Sequence, residues 1–322
     1  MPSDSIMNEL SEKLEKARRL SRANFAKEIT FFLPGMFRSN GVSGRYPAIS
    51  ITGEKCDLDC EHCRGSLLKT MIHASTPREL EQRCMILWER GYPGALISGG
   101  CDPGGRLPWP GFLESIRKIK RDTGLFLSVH SGIVDDSTAS ALADAGIDQA
   151  LIDVMGDDET YRSIYHVPFG ISRIVDSMES LQRAGIPLVP HIVCGIFFGR
   201  MGSEKQALEI LKNFDLDQLV IVSYMKIPGT NAEAFALPAA EDVADLIAEA
   251  RIMMPGVRMS LGCARQRGNT KIEEFAIEAG VNRMALPSDE AVAKAMEFGL
   301  EIRYQRTCCS VSRDFSSEKW DE

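Results

Sequence analysis

Three cysteines near the start of the chain have the spacing C-x3-C-x2-C: Cys56, Cys60 and Cys63, in the stretch SITGEKCDLDCEHCRGS at 50–66. Closely spaced thiolates bind zinc or an iron–sulfur cluster, and such sites usually have four protein ligands. A [4Fe–4S] cluster held by three thiolates keeps one iron free, which is useful where a substrate or cofactor binds that iron. The spacing therefore predicts such a cluster.

Zinc binding and core packing are the other interpretations of these cysteines. A structural zinc site would take its fourth ligand from His62, His73 or a distant cysteine, although the usual second ligand pair is missing from this stretch. Core packing fits poorly, because the segment is polar and flanked by glycine. A non-catalytic iron–sulfur or zinc-binding module and a barrel enzyme without a cluster remain alternatives.

The composition is that of a globular chain with a sizeable core: of 322 residues, 44% are hydrophobic and 25% are charged. No apolar run approaches the ~18 residues of a membrane span, and the charged N-terminal stretch does not resemble a signal peptide. We therefore expect a cytoplasmic protein without a membrane partner. The net charge of −8 argues against nucleic-acid binding, and nine cysteines in a reducing compartment favour metal ligands over disulfides.

Apolar runs alternate with helix-period stretches along most of the chain, and these elements must position the cysteines. The runs predict eight strands, at 48–53, 94–100, 125–132, 149–156, 187–195, 218–225, 257–263 and 283–287. Continuous apolar strands are typical of parallel sheets covered on both faces. The pattern predicts an α/β fold, a (β/α)8 TIM-type barrel, with a doubly wound sheet as the alternative.

The barrel is expected to have an N-terminal helical extension and a short C-terminal tail. We predict three segments: a helix and lead-in at 1–44, with the helix at about 5–26; the barrel at 45–290; and an extension with a cysteine pair at 291–322. Active sites of such barrels form at the C-terminal ends of the strands. The polar and cysteine residues of this chain collect at those ends.

On these residues the chain resembles the radical S-adenosylmethionine (SAM) superfamily. The cysteine motif follows the first predicted strand, as in that superfamily, and the resemblance covers roughly 45–290. It is closest to the branch of biotin synthase and lipoyl synthase. The frame from FFLPG at 31–35 to TCC at 307–309 also resembles the paired proteins of the archaeal-type two-component lipoyl synthase.

The resemblance implies a [4Fe–4S] cluster on Cys56, Cys60 and Cys63, with SAM on the fourth iron. SAM would be cleaved to a 5′-deoxyadenosyl radical that abstracts hydrogen from an unactivated carbon. The implied cofactor-binding residues fall into four groups. His62 would lie beside the adenine, and Ser98, Gly99 and Gly100 follow the second predicted strand. Gly195 and Pro228 would border the adenine, and His130 and Asp153 are polar residues at strand ends. Asp153 could instead cap its loop, and His130 and His191 could bind substrate, bind a metal or have a structural role.

A second, sulfur-donating cluster is a further hypothesis. Cys263 stands where biotin synthase has an arginine cluster ligand, and Cys308, Cys309 and Cys101 would complete the set. The alternative is that the cysteine pair is redox-active or simply exposed. Two other cysteines, Cys84 and Cys194, lie in apolar patterns that predict core positions, and two arginines, Arg265 and Arg267, could bind a carboxylate or be surface charges.

The implied reaction is sulfur insertion, as in lipoyl synthase and biotin synthase, into an octanoyl chain on a carrier-protein lysine or into a small molecule. The implied partners are an electron donor such as ferredoxin or flavodoxin, and a second radical SAM subunit. A radical SAM mutase or maturase, similar to methylornithine synthase or to the hydrogenase maturases, is the catalytic alternative.

Overall fold

The computed structural model describes residues 4–39 and 41–315. The helices are α1 Asp4–Asn24, α2 Pro77–Glu89, α3 Leu113–Thr123, α4 Asp136–Asp144, α5 Asp158–Thr160, α6 Ile171–Arg183, α7 Glu204–Leu211, α8 Ala240–Met253, α9 Thr270–Glu278 and α10 Asp289–Glu297. A single π-helical turn, Tyr161–Tyr165, continues α5. In the part of the chain described, no helix has the length and apolar composition to cross a bilayer.

The strands are β1 Glu28–Phe32, β2 Arg38–Ser39, β3 Val42–Ser43, β4 Ala48–Ser50, β5 Ile72–His73, β6 Gly94–Ser98, β7 Phe126–His130, β8 Gln149–Asp153, β9 Leu188–Cys194, β10 Gln218–Ser223, β11 Arg258–Leu261, β12 Arg283–Ala285 and β13 Glu301–Gln305. Eleven of them form one sheet, in the order β13-β1-β12-β11-β10-β9-β8-β7-β6-β4-β5. The other two, β2 and β3, form an antiparallel pair.

The eight predicted strands correspond to β4 and β6 to β12, which are parallel neighbours in chain order. A doubly wound sheet would reverse its strand order at a switch point, and this order does not reverse. The sheet is curled, with helices around it, so the predicted TIM-type fold is confirmed.

Three strands of the sheet, β1, β5 and β13, were not predicted. The segment EITFF forms β1, which pairs with both β12 and β13, so the stretches before and after the predicted barrel segment both contribute to its sheet. Five residues directly after a charged helix carry little periodic signal, which is why β1 was missed. The segment boundaries at 44 and 290 remain a prediction.

The segment 306–315, here called the tail segment, lies on the concave face of the sheet. Directly after β13, the Arg306 carbonyl accepts a hydrogen bond from the Arg45 amide at 2.6 Å. Further along, Cys309 is buried among side chains from five strands: Phe32, Leu151, Val189, Val220, Val222 and Ala285. The tail segment therefore occupies space inside the curled sheet.

Three buried side chains at the starts of strands hold the backbone of the tail segment. Gln218 Nε2 donates to the Cys309 carbonyl at 2.6 Å, and Gln149 Nε2 donates to the Ser310 carbonyl at 2.8 Å. Arg283 donates to the carbonyls of Val311 and Ser312. Because Gln149, Gln218 and Arg283 begin β8, β10 and β12, the tail segment reaches the N-terminal end of the barrel.

Candidate active site

The three predicted cluster cysteines lie in the loop that follows β4. The ligand atoms of Cys60, His62 and Cys63 all lie within 4.8 Å of one another, and this is the only such group of three among residues 4–39 and 41–315. The loop turns sharply where Arg64 and Gly65 have φ of 45° and 70°. This left-handed turn, followed by a 3-10 helix, returns the chain after Cys63.

The pKa values of this group favour binding of a cation. A hydrogen bond from Cys60 lowers the pKa of the Cys63 thiol to about 4, and burial only partly opposes it. The same contact raises the pKa of Cys60, and the charge of Cys56 raises it further, so Cys56 lies within electrostatic reach. Burial disfavours charged His62, but its hydrogen bond to Cys63 raises its pKa overall. Crowded thiols of this kind suit a cluster that holds them all as thiolates.

The end of β6 packs directly against the cysteine loop. A Cβ on Gly100 would lie 2.1 Å from the Lys55 carbonyl oxygen and 2.5 Å from Cys56 Cα, so only glycine fits there. The Gly100 amide donates to Thr52 Oγ1 at 2.7 Å, and a Cβ on Gly99 would be 3.1 Å from that oxygen. The cofactor-binding residues predicted after the second barrel strand, which is β6, therefore lie beside the cysteine motif.

We expect Gly100→Ala to displace the loop at Cys56 and to weaken cluster retention by about 10-fold or more. Substitution of a residue that neighbours a metal ligand typically lowers metal affinity by about that factor. Iron per chain after anaerobic reconstitution measures this. Gly111→Ala is the control, because a Cβ there would meet nothing within 4 Å. Equal iron in the two variants would contradict the close approach at Gly100.

Glu61, inside the cysteine motif, ties the loop to two distant segments. Its carboxylate accepts from Asn231 Nδ2 at 2.6 Å and contacts His166 Nε2 at 2.8 Å. Its amide donates to the Ile164 carbonyl at 2.8 Å, and its carbonyl accepts from the Ala232 amide at 3.3 Å. The hydrogen bond from Asn231 lowers the pKa of Glu61. Sequence reasoning missed this clamp, because nothing in the spacing marks Glu61 or its partners.

A polar band crosses the C-terminal ends of β6 to β9. Ser98 Oγ lies 3.1 Å from His130 Nδ1, the rings of His130 and His191 are 6.2 Å apart, and Asp153 is the register partner of His191. Burial lowers the pKa of both histidines, that of His191 to about 4, so both are neutral at pH 7. His191 Nδ1 contacts the Val189 carbonyl at 3.1 Å and must carry the proton there, so Nε2 is an acceptor.

Asp153 faces several of these groups at once. Its charge acts to raise the pKa values of His62, His130, His191 and Tyr165, which come from four different parts of the barrel. The structure thus brings together Ser98, His130 and Asp153 from the predicted cofactor set. It places them beside the cysteine loop, where His62 also lies.

The adenine-side positions lie on neighbouring loops. Gly195 has φ 74°, a Cβ there would be 2.9 Å from Pro238, and its amide donates to Glu204 Oε1 at 2.8 Å. Pro228 is exposed, in a turn closed by the Thr230 amide donating to the Ile227 carbonyl at 3.2 Å. Gly195 thus contacts the segment before α8 and the start of α7, whereas the turn at Pro228 is closed within itself.

Three of the four cysteines predicted for a second cluster lie close together. The charge of Cys308 raises the pKa values of both Cys263 and Cys309. Burial raises the pKa of Cys263 to about 11, and a hydrogen bond from Cys309 lowers the pKa of Cys308 to about 6. Cys309 is 2% exposed, so the expectation of a simply exposed pair is wrong. Cys101 lies elsewhere: its carbonyl accepts from Cys56 Sγ at 4.0 Å, and Cys56 and Cys63 act on its pKa.

Arg265 neither binds a free carboxylate nor lies on the surface. It is 1% exposed, forms an ion pair with Glu273 at 2.7 Å, and donates to the carbonyls of Gly262, Ala285 and Leu286. Arg267 donates to the Cys263 and Leu286 carbonyls. Both arginines thus hold the ends of β11 and β12 in place. Cys84 and Cys194 are buried, as predicted.

Comparisons with known proteins agree with this site. The model of the radical SAM superfamily matches residues 50–212, half of the chain and the part that carries the cysteine motif. The biotin synthase of Pelobacter propionicus is 25% identical over 299 residues, which cover 88% of this chain and 88% of that protein. The biotin synthase of Marinobacter nauticus is 24% identical over 243 residues, or 73% of this chain and 67% of that protein.

Solved structures support the fold. Methylornithine synthase has a TM-score of 0.65 at 16% identity, covering 94% of this chain and 90% of its own. A maturase of the [FeFe]-hydrogenase has a TM-score of 0.67 at 16% identity, covering 94% and 69%. At these identities the likeness concerns the fold alone.

The chain belongs to the radical SAM superfamily, in the biotin synthase-like branch, and its cofactors are a [4Fe–4S] cluster and SAM. The residues present fit this pair. The thiols of Cys60 and Cys63 converge, Cys56 lies within electrostatic reach, and a buried His62 Nδ1 beside them has no hydrogen-bond partner among the described residues. The sequence predicted this family from the motif and its position after the first barrel strand.

Proposed function

We propose that the protein is a sulfur-inserting radical SAM enzyme, similar to lipoyl synthase and biotin synthase, and that it acts on an octanoyl chain carried on a protein lysine. The observation that carries the proposal is the meeting of Cys263, Cys308 and Cys309 inside the curled sheet, around the tail segment. A cysteine group there can hold a second cluster that donates sulfur. The biotin synthase relatives are consistent with this chemistry.

Each group of residues has a role in this proposal. Cys56, Cys60 and Cys63 hold the first cluster, and the predicted SAM contacts are the residues beside them and on the neighbouring loops: His62, Ser98, Gly99, Gly100, His130, Asp153, Gly195 and Pro228. When bound, the cluster and SAM supply a radical that removes hydrogen from an unactivated carbon. We leave Cys101 out of the second group because it lies beside Cys56.

The concave face also suits the substrate. The side chains around Cys309 are apolar, with Leu151, Val189, Val220 and Val222 among them, so an acyl chain that reached this group would meet apolar surface. Because the tail segment packs on these side chains, it must move aside to admit the acyl chain. The neutral His191 lies in the polar band near the strand ends, and its Nε2 can accept a hydrogen bond from the amide that joins the acyl chain to lysine. An electron donor such as ferredoxin or flavodoxin, and a second radical SAM subunit, are the partners of this reaction.

Iron counting tests the second cluster. After anaerobic reconstitution we expect the protein to hold clearly more than the ~4 irons of one cubane cluster, and Cys263→Ala/Cys308→Ala to hold only ~4. A Cys84→Ala/Cys194→Ala variant controls for the loss of two buried cysteines elsewhere. About 4 irons in the protein, unchanged in the Cys263→Ala/Cys308→Ala variant, would rule out the second cluster.

Product analysis tests the reaction. With SAM, dithionite and an octanoyl-lysine peptide, we expect deoxyadenosine together with a peptide that has gained sulfur. The double variant is expected to keep deoxyadenosine formation and to lose the sulfur-containing product. Deoxyadenosine without any sulfur-containing product from the protein with both cysteine groups intact, in the presence of its partner subunit, would contradict sulfur insertion.

A further inference from the structure

The π-helical turn after α5 lies directly on the cysteine loop. The Ile164 carbonyl accepts from the Glu61 amide at 2.8 Å, and the Tyr165 carbonyl accepts from Cys60 Sγ at 3.7 Å. His166, with φ 55°, ends the turn and contacts the Glu61 carboxylate. A π-helical turn is rare and redirects a side chain relative to an α-helix. Here it directs Tyr165 at the cluster site.

Two buried polar atoms at this contact have no hydrogen-bond partner among the described residues. They are the Tyr165 hydroxyl and His62 Nδ1. The two rings pack edge to face with centroids 5.1 Å apart. Buried polar groups in native proteins are nearly always satisfied, so adjacent exceptions at a cofactor site indicate a missing partner that is itself polar.

The surroundings of the Tyr165 hydroxyl narrow the chemistry of that partner. The ionisable groups around it are Asp153, Tyr161, Cys60 and Cys63. The partner therefore lies near a carboxylate as well as beside the His62 imidazole. A pair of neighbouring hydroxyls suits the place, because each can donate to a carboxylate and accept from a phenol or an imidazole.

We propose that the Tyr165 hydroxyl hydrogen-bonds the ribose of bound SAM, with His62 Nδ1 as a second contact to the same nucleoside. Tyr165 is then a positioning residue: it orients the adenosyl group relative to the cluster held by the neighbouring Cys60 and Cys63. This inference concerns the cofactor of the superfamily, and it holds whatever the substrate proves to be.

The test is a titration of the reduced, reconstituted protein with SAM, followed by the change in the electron paramagnetic resonance spectrum of the cluster. Tyr165→Phe keeps the ring and removes the hydroxyl, so we expect unchanged iron content and about 3- to 10-fold weaker SAM binding, the scale of one neutral hydrogen bond. Tyr161→Phe is the matched control. Its hydroxyl already accepts from the Met155 amide at 2.9 Å, so SAM affinity should not change.

SAM analogues without the ribose 2′ or 3′ hydroxyl complete the test and do not depend on the variant retaining its cluster. The protein should bind at least one analogue several-fold more weakly than SAM, and Tyr165→Phe should bind SAM and that analogue about equally. Undiminished affinity of the protein for both analogues would overturn the proposal. So would additive losses from the variant and the analogue, or unchanged SAM binding by Tyr165→Phe.

Discussion

Cys63→Ala is expected to leave the protein without its first cluster and to lower deoxyadenosine formation from SAM by more than about 100-fold. Substitution of residues that only neighbour metal ligands already lowers metal affinity or activity by about 10- to 100-fold, and Cys63 is itself an expected ligand. The hydrogen bond from Cys60 lowers the pKa of the Cys63 thiol to about 4, so Cys63 is ready to bind iron as a thiolate. His62 and Cys60 are its neighbours within 4.8 Å, and neither can supply the lost thiolate.

Iron analysis, visible absorption and a deoxyadenosine assay measure this effect. Cys84→Ala is the matched control: Cys84 is a fully buried cysteine of α2, and its loss should cost about 1–2 kcal/mol of unfolding free energy while leaving iron and SAM cleavage unchanged. Normal SAM cleavage by Cys63→Ala would show that the motif does not hold the cluster as proposed.

Arg283→Met is expected to lower the free energy of unfolding by about 2–4 kcal/mol, because it strips two buried carbonyls of a charged donor. Arg283 donates to the carbonyls of Val311 and Ser312, and its guanidinium lies 5.4 Å from the centre of the Phe32 ring. Burial lowers its pKa to about 10, which still leaves it charged at pH 7. Released from this anchor, the tail segment should expose Cys309.

Urea unfolding of the cluster-free protein and the alkylation rate of Cys309 measure the two effects. Arg303→Met is the control on β13, which lies on the other side of β1 from Arg283. Arg303 pairs with Glu28 at 2.9 Å but is 46% exposed, so its loss should cost less than about 1 kcal/mol. Equal destabilisation by the two substitutions, or unchanged alkylation of Cys309 in Arg283→Met, would show that Arg283 does not secure the tail segment.

Short-range signals explain what could be predicted from the sequence. The cysteine motif spans eight residues, so its spacing alone indicates the ligand geometry. The strands β4 and β6 to β12 were predicted because parallel strands covered on both faces are continuous apolar runs. Gly100 was identified through resemblance, and the structure adds the physical reason, a Cβ that would overlap Lys55 and Cys56.

Contacts that no local sequence pattern encodes explain what could not be predicted. Glu61 reaches Asn231 across 170 residues, and neither side chain has a type or spacing that marks the contact. The π-helical turn that directs Tyr165 depends on packing against the loop, which no local periodicity encodes. Arg265 was read as a ligand or a surface charge because its buried partner, Glu273, is recognisable only once β11 and α9 are in place.

The position of β1 has a consequence for how the chain folds during synthesis. Residues 28–32 lie between 283–285 and 301–305, so this strand has no sheet partner until residues about 250 positions later have been synthesised. Pairings of such high contact order form late. The sheet therefore stays open beside β1 until those residues have been made, and Cys308 and Cys309, which follow β13, enter it only afterwards. Assembly of any metal group on them must follow that step, whereas the Cys56–Cys63 loop is synthesised much earlier.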